Sequence, residues 1–132
     1  MIAVIETSAA VAVALGRSVP AALSQTLVEA ELVLAPELFV AEITNLFWRY
    51  HHREGMPLPE CKAALEDAMA LPDEIVAQRE LSREVFAMAC HAGSTAYNMF
   101  FVVLARRYDA ALLTVDPRLR EVAVKLGVGQ LG

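Results

Sequence analysis

Cysteine is too scarce here to hold the fold together. The 132 residues include two cysteines, Cys61 and Cys90, each inside a helical pattern. They read as two reduced thiols, buried or half-buried, and not as a disulfide framework. Glycine is missing where nucleotide-binding loops require it. The stretch Glu6-Thr7-Ser8-Ala9-Ala10, just after the first apolar run, has none, which excludes a dinucleotide-binding turn and a P-loop. An aspartyl-nucleophile phosphatase would need Asp at position 6, and a response-regulator domain would need paired acids after the first strand and a lysine after a late one. No apolar run is long enough to span a membrane. No basic region precedes the first apolar run, so a secretory signal is not expected and a cytoplasmic setting is. Positive charge is also in deficit, with 11 Lys and Arg against 16 Asp and Glu and a net charge of −5. That balance argues against broad electrostatic binding to nucleic acid. It leaves room for an enzyme that meets phosphate through a metal and a few arginines, or for a basic protein partner.

What the chain does have is apolar surface. Hydrophobic residues make up 57% of it, enough to fill one core over residues 1–132 without a structural metal. The apolar runs alternate in type. Ile2 to Ile5 reads as a buried strand, followed by a helix that Thr7 or Ser8 can cap and that stops near Gly16. Ser18 can cap a second helix, with Leu23, Leu27 and Val28 inward. Leu32 to Ala35 is a second strand, ended by Pro36. Glu37 to Arg53 is a long helix ending before Gly55, with Leu38, Ala41, Leu46 and Tyr50 toward the core and Glu42, Asn45 and Arg49 forming a polar stripe. Pro57 to Leu71 is a further helix, Glu74 to Ala77 a weak strand, and Ser82 to His91 a helix ending at Gly93.

Ser94 to Asp116 then forms the unit on which the rest is organised. Tyr97, Phe101, Leu104 and Tyr108 recur at helical spacing and predict the apolar face of a helix, which Asn98 and Arg106 leave. Ala110 to Leu113 reads as a strand buried on both sides. Thr114-Val115-Asp116 closes it, Pro117 opens a last helix, and Val128 to Leu131 is a short final strand. Strands alternating with helices indicate an α/β fold with a parallel sheet covered on both faces.

Two strands end in an acid near a hydroxyl residue, at Glu6 and at Asp116, where open α/β sheets place their sites. Glu42 and Asn98 enter from flanking helices. Joined in one pocket, these four are carboxylate and amide oxygens without histidine or cysteine, a set that suits Mg²⁺ or Mn²⁺. Such an ion activates water for in-line attack on a phosphodiester. Thr7, Ser8 and Thr114 can hydrogen-bond the ligands or the water. Each residue has a plainer reading: Glu6 as a helix-start acid, Glu42 as a partner of Arg49, Asn98 as a cap, and Asp116 as the cap of the helix from Pro117, the simpler role for it alone. His51, His52 and Arg53 fit a helix C-terminus, and Arg106 and Arg107 the surface. Arg49 shares a face with Glu42 and is the better phosphate contact. Phe47, Trp48 and Tyr50 read as core or as contact surface.

The segments IETSA, PELFVAEITNLFWRY and AYNMFFVVLARRYDAALLTVD, in that order and spacing, resemble a PIN domain over nearly the whole chain, and within it the VapC-type toxins. The resemblance implies a three-layer α/β/α sandwich around a central parallel sheet, and a Mg²⁺- or Mn²⁺-dependent endoribonuclease acting on RNA. It also implies a homodimer and a small antitoxin protein. Matched residue by residue, the family's acids fall on Glu6, where Asp is usual, Glu42, Asn98 and Asp116. The resemblance implies catalytic roles for these four and Thr114, metal ligation by Glu6, Glu42 and Asp116, and substrate contacts for Ser8, Asn45 and Arg49. A further acid common two positions after the third is here Phe100. These departures make the site less negative, and leave as the alternative a catalytically silent PIN-fold module acting through a protein or RNA partner.

Overall fold

The structure, a computed structural model, describes residues 1–131, without the side chains of residues 130 and 131. In chain order the elements are β1 (Ile2–Ile5), α1 (Thr7–Ala14), α2 (Ala21–Glu29), β2 (Leu32–Pro36), α3 (Glu37–Glu54), α4 (Leu58–Met69), β3 (Glu74–Val76), a 3-10 turn (Arg79–Leu81), α5 (Ser82–Ala92), α6 (Ala96–Arg107), β4 (Ala111–Leu113), α7 (Pro117–Lys125) and β5 (Gln130–Leu131). The strands form one sheet in the order β3-β2-β1-β4-β5, parallel throughout. Helices cover both faces, so the expected three-layer α/β/α sandwich is what the chain adopts. No helix among the described residues is long and apolar enough to cross a membrane.

The central strands are short and wholly apolar because both of their faces are covered. Ala3, Val4, Ile5, Leu34, Ala35, Leu112 and Leu113 are all fully buried. Strand order reverses at β1. The chain moves outward on one side through β2 and β3, then returns to place β4 on the other side of β1. The carboxyl ends of β1 and β4 therefore flank the crevice where open α/β sheets bind ligands. Ile5 pairs with Leu113, and the Glu6 amide donates to the Leu113 carbonyl at 2.9 Å. This register puts Glu6 beside Thr114 across the crevice.

Helix boundaries follow the predicted stops. Gly55 and Gly93 end α3 and α5 in left-handed conformation, φ 73° and 64°, which only glycine adopts without strain. Helix phases differ from expectation. In α3 the fully buried residues are Phe39, Ile43 and Phe47, one step round from the expected face, of which Leu38, Leu46 and Tyr50 pack half-buried against the core and Ala41 is exposed. Phe47 is thus core, not contact surface. In α2 Val28 is 84% exposed. In α6 the buried run is Met99 and Phe101 to Ala105, because the helix lies between α5 and strands β1, β2 and β4. A helix covered on most sides has no single apolar stripe, so Tyr97 and Tyr108 at its ends are left exposed. Cys61 is buried as expected and Cys90 is exposed, both as free thiols. Arg106 and Arg107 are exposed, and Arg107 reaches Glu84 at 3.5 Å.

Candidate active site

Glu6 is the first residue past β1 and has extended backbone, φ −93° and ψ 154°. Its carboxylate, and not Thr7 or Ser8, caps α1: Oε2 accepts the Ser8 amide at 3.1 Å. The same oxygen accepts the Ser8 hydroxyl and the Thr114 hydroxyl, the latter at 2.8 Å. One carboxylate oxygen thus joins the ends of β1 and β4 and starts α1. Glu6 is only 7% exposed and Thr114 is fully buried. Burial pushes the Glu6 carboxyl above the ordinary glutamate range. The bonds from Ser8 and Thr114 pull it partly back, and the charge of Glu42 raises it further.

Glu42 comes from α3, one helical turn before Asn45. Its Oε1 accepts the Thr7 hydroxyl at 2.6 Å, a short charge-assisted bond. Partial burial raises its carboxyl too, against the lowering effect of Thr7. Glu6, Thr7, Ser8, Glu42, Asn45, Leu46 and Arg49 line one cavity of about 330 Å³. Two carboxylates, two hydroxyls, an amide and one guanidinium therefore share a single space at the sheet's switch point. Arg49 also borders a second depression with Arg53, Tyr50 and Glu54, and Arg17 lies over the Tyr50 ring at 5.8 Å.

The other two expected site residues lie next door. Asn98 and Asp116 line a separate cavity of about 450 Å³, with Thr95, Arg118, Glu121 and Lys125 among its walls. Asp116 is the N-cap of α7, accepting the Arg118 amide at 2.9 Å, as its plainer reading has it. Asn98 does not cap α6; Thr95 does, accepting the Asn98 amide at 3.4 Å. Thr114 connects the two cavities, since its Oγ1 donates to Glu6 and accepts the Asp116 amide at 3.1 Å. The structure thus brings Glu6, Glu42, Thr7, Ser8, Asn45 and Arg49 together, and sets Asn98 and Asp116 one step away.

Among the described residues no group of three or more His, Cys, Asp and Glu is gathered for a metal. The set around Glu6 and Glu42 is nonetheless all oxygen, and Mg²⁺ is commonly held by one or two carboxylates while waters and phosphate complete its shell. The residues fit an ion held by that pair, not a closed three-carboxylate cage.

Tyr97, expected on the apolar face of α6, is instead 63% exposed and lines a small cleft with Glu42 and Asn45. Its place in the first turn of α6, ahead of the buried run, is the signal that could have found it.

A family model described as PIN domain matches residues 3–125. The crystal structure of PAE2754 from Pyrobaculum aerophilum is similar, with a TM-score of 0.71 at 18% identity, covering 96% of this chain and 90% of that one. No curated protein matches the chain.

Proposed function

This chain belongs to the PIN domain family, and from that premise we propose that it is a metal-dependent endoribonuclease of the VapC-like toxin type, hydrolysing phosphodiester bonds of single-stranded RNA. One observation carries the reading: Glu6 and Glu42 share a cavity with Arg49 at the carboxyl end of β1. Glu6 and Glu42 would hold Mg²⁺ or Mn²⁺, which supplies Lewis-acid stabilisation of the phosphoryl oxygens and an activated water. The protein's own part is positioning. Ser8 and Thr114 fix the Glu6 carboxylate, and Thr7 fixes that of Glu42. Arg49 meets the phosphate, with Asn45 beside it. Asn98 and Asp116 line the adjoining cavity, where Arg118 and Lys125 offer cations to the continuing strand.

The same reading brings protein partners, a second copy of the chain as a homodimer and a small antitoxin. Trp48, 51% exposed, and Val40, 39% exposed, line a cavity along the outer side of α3 and form its apolar contact strip. Of the three aromatics expected there, Phe47 is buried and Tyr50 is half-buried against it.

Calorimetric titration with Mg²⁺ and Mn²⁺, beside cleavage of a single-stranded RNA, tests the proposal. Glu6→Gln and Glu42→Gln are each expected to abolish the binding heat and to lower cleavage by at least ~100-fold. Wild-type chain that neither binds metal nor cleaves RNA would favour the second reading, a catalytically silent PIN-fold binding module. That reading draws on the same gap: only two carboxylates gather, and Asn98 stands where the family carries an acid.

A further inference from the structure

The first turn of α6 carries two consecutive residues that serve different cavities. Asn98 faces the space that contains Asp116. Tyr97, about 100° round the helix, lines a cleft of about 240 Å³ with Leu38, Ala41, Glu42 and Asn45 of α3. Glu42 and Asn45 also line the acid cavity, so this cleft and that cavity share the Glu42 side of the site. Leu38 and Ala41 make an apolar floor, the Asn45 amide offers a donor and an acceptor at one end, and Tyr97 forms a wall with 63% of its surface exposed. The ring is thus open to solvent beside the charged site and free to stack on a ligand. The cleft is below the roughly 300–1,000 Å³ of ordinary small-molecule pockets, which suits one flat group better than a whole nucleotide.

We propose that Tyr97 is a substrate-positioning residue: its ring stacks on one unpaired base of the RNA, next to the phosphate met by Arg49 in the cavity of Glu6 and Glu42, while Asn45 hydrogen-bonds that base's edge. The inference rests on the endoribonuclease reading and adds a base subsite to it. The chemistry fits a single strand, because splayed bases stack on aromatic side chains and are bonded along their edges. A base inside a duplex has both faces covered and cannot enter. The net charge of −5 gives the argument weight: a chain with little general attraction for phosphate needs non-ionic contacts to hold its strand.

The test is binding of a fluorescein-labelled single-stranded RNA decamer by anisotropy, in EDTA so that no cleavage occurs, for wild type, Tyr97→Ala, Tyr97→Phe and Tyr97→Trp. Stacking of one base is worth ~1–3 kcal/mol by alanine substitution, so Tyr97→Ala is expected to weaken binding roughly five- to hundredfold. Phe and Trp should hold it within about twofold, since both keep a ring face. In Mg²⁺ the alanine variant should show a raised KM with kcat nearly intact. Circular dichroism checks the fold. Equal binding by Tyr97→Ala and wild type, with wild type still cleaving, overturns the subsite and leaves the nuclease reading standing. Loss in Tyr97→Phe as large as in Tyr97→Ala overturns it too, because the hydroxyl and not the ring would then be the contact. Dissociation of a dimer by Tyr97→Ala in light scattering would make the face a protein interface. A wild-type chain that neither binds nor cleaves single-stranded RNA would remove both proposals together.

Discussion

Two cavities are linked through Thr114 at the carboxyl end of the sheet, and they use their acids differently. In the one built by β1 and α3, Glu6 and Glu42 are buried or half-buried, tied by hydroxyl groups, and held above their ordinary proton affinity. In the one built by α6 and α7, Asp116 spends an oxygen on capping a helix, and Glu121 pairs with Lys125 at 3.6 Å. Two acids there face two cations, Arg118 and Lys125. The first cavity sets two carboxylates against the one guanidinium of Arg49, and the second is close to balanced. A carboxylate's position at a strand end does not decide its chemistry; the donors and charges around it do.

Thr114 joins the two halves, and of the changes that test their coupling, removing its hydroxyl should have the largest effect. Thr114→Val keeps the shape but leaves the Asp116 amide without its acceptor and Glu6 short of one donor. Stability should fall by roughly 1–3 kcal/mol, and cleavage or metal affinity by ~10–100-fold, read by denaturant unfolding and calorimetry. A variant like wild type in both would show the cavities to be independent.

A charge swap is expected to do less. Asn98→Asp adds a charge to the balanced cavity, and Asp116→Asn removes one while keeping a good cap. If the second cavity supports the metal only through its field, Mg²⁺ affinity should rise roughly three- to tenfold in the first variant and fall by a similar factor in the second. Complete loss of binding in Asp116→Asn would instead make that carboxylate a direct ligand.

The smallest effect concerns pH. Folded chain keeps the Glu6 proton at pH values where the unfolded chain has released it. Between the ordinary value of 4.5 and the raised folded value the native state binds more protons, so stability falls as pH rises through that window. Glu6→Gln can still accept the Ser8 and Thr114 bonds and has no charge to desolvate. Its melting curve should flatten against pH and exceed wild type at neutral pH by roughly 2–4 °C. Parallel curves for the two proteins would mean that burial does not govern Glu6.

Much of the fold was legible because each central strand is a short, wholly apolar run closed by a polar residue, and because Gly55 and Gly93 mark helix ends. Helix phase was less so. The stripe through Tyr97, Phe101, Leu104 and Tyr108 holds at its centre, where Phe101 and Leu104 are buried, but fails at its two ends and leaves out the rest of the buried surface of a helix enclosed by α5 and the sheet. The site was legible in its acid half: Glu6, Thr7, Ser8, Glu42, Asn45 and Arg49 do meet. Its division was not, since whether Asp116 turns toward Glu6 or toward the amides of α7 depends on the backbone just past Leu113. No spacing in the sequence encodes that choice.

The outermost strands carry one more consequence. β3 has three residues and β5 two, and β3 begins at Glu74 just after Asp73, whose carboxylate is bonded to the Val33 amide at 2.7 Å. So little free backbone gives another chain almost nothing to zip onto, and an acid stands at the start of the β3 rim. Growth by strand addition at that rim is therefore disfavoured, and concentrated solutions should stay free of cross-β order.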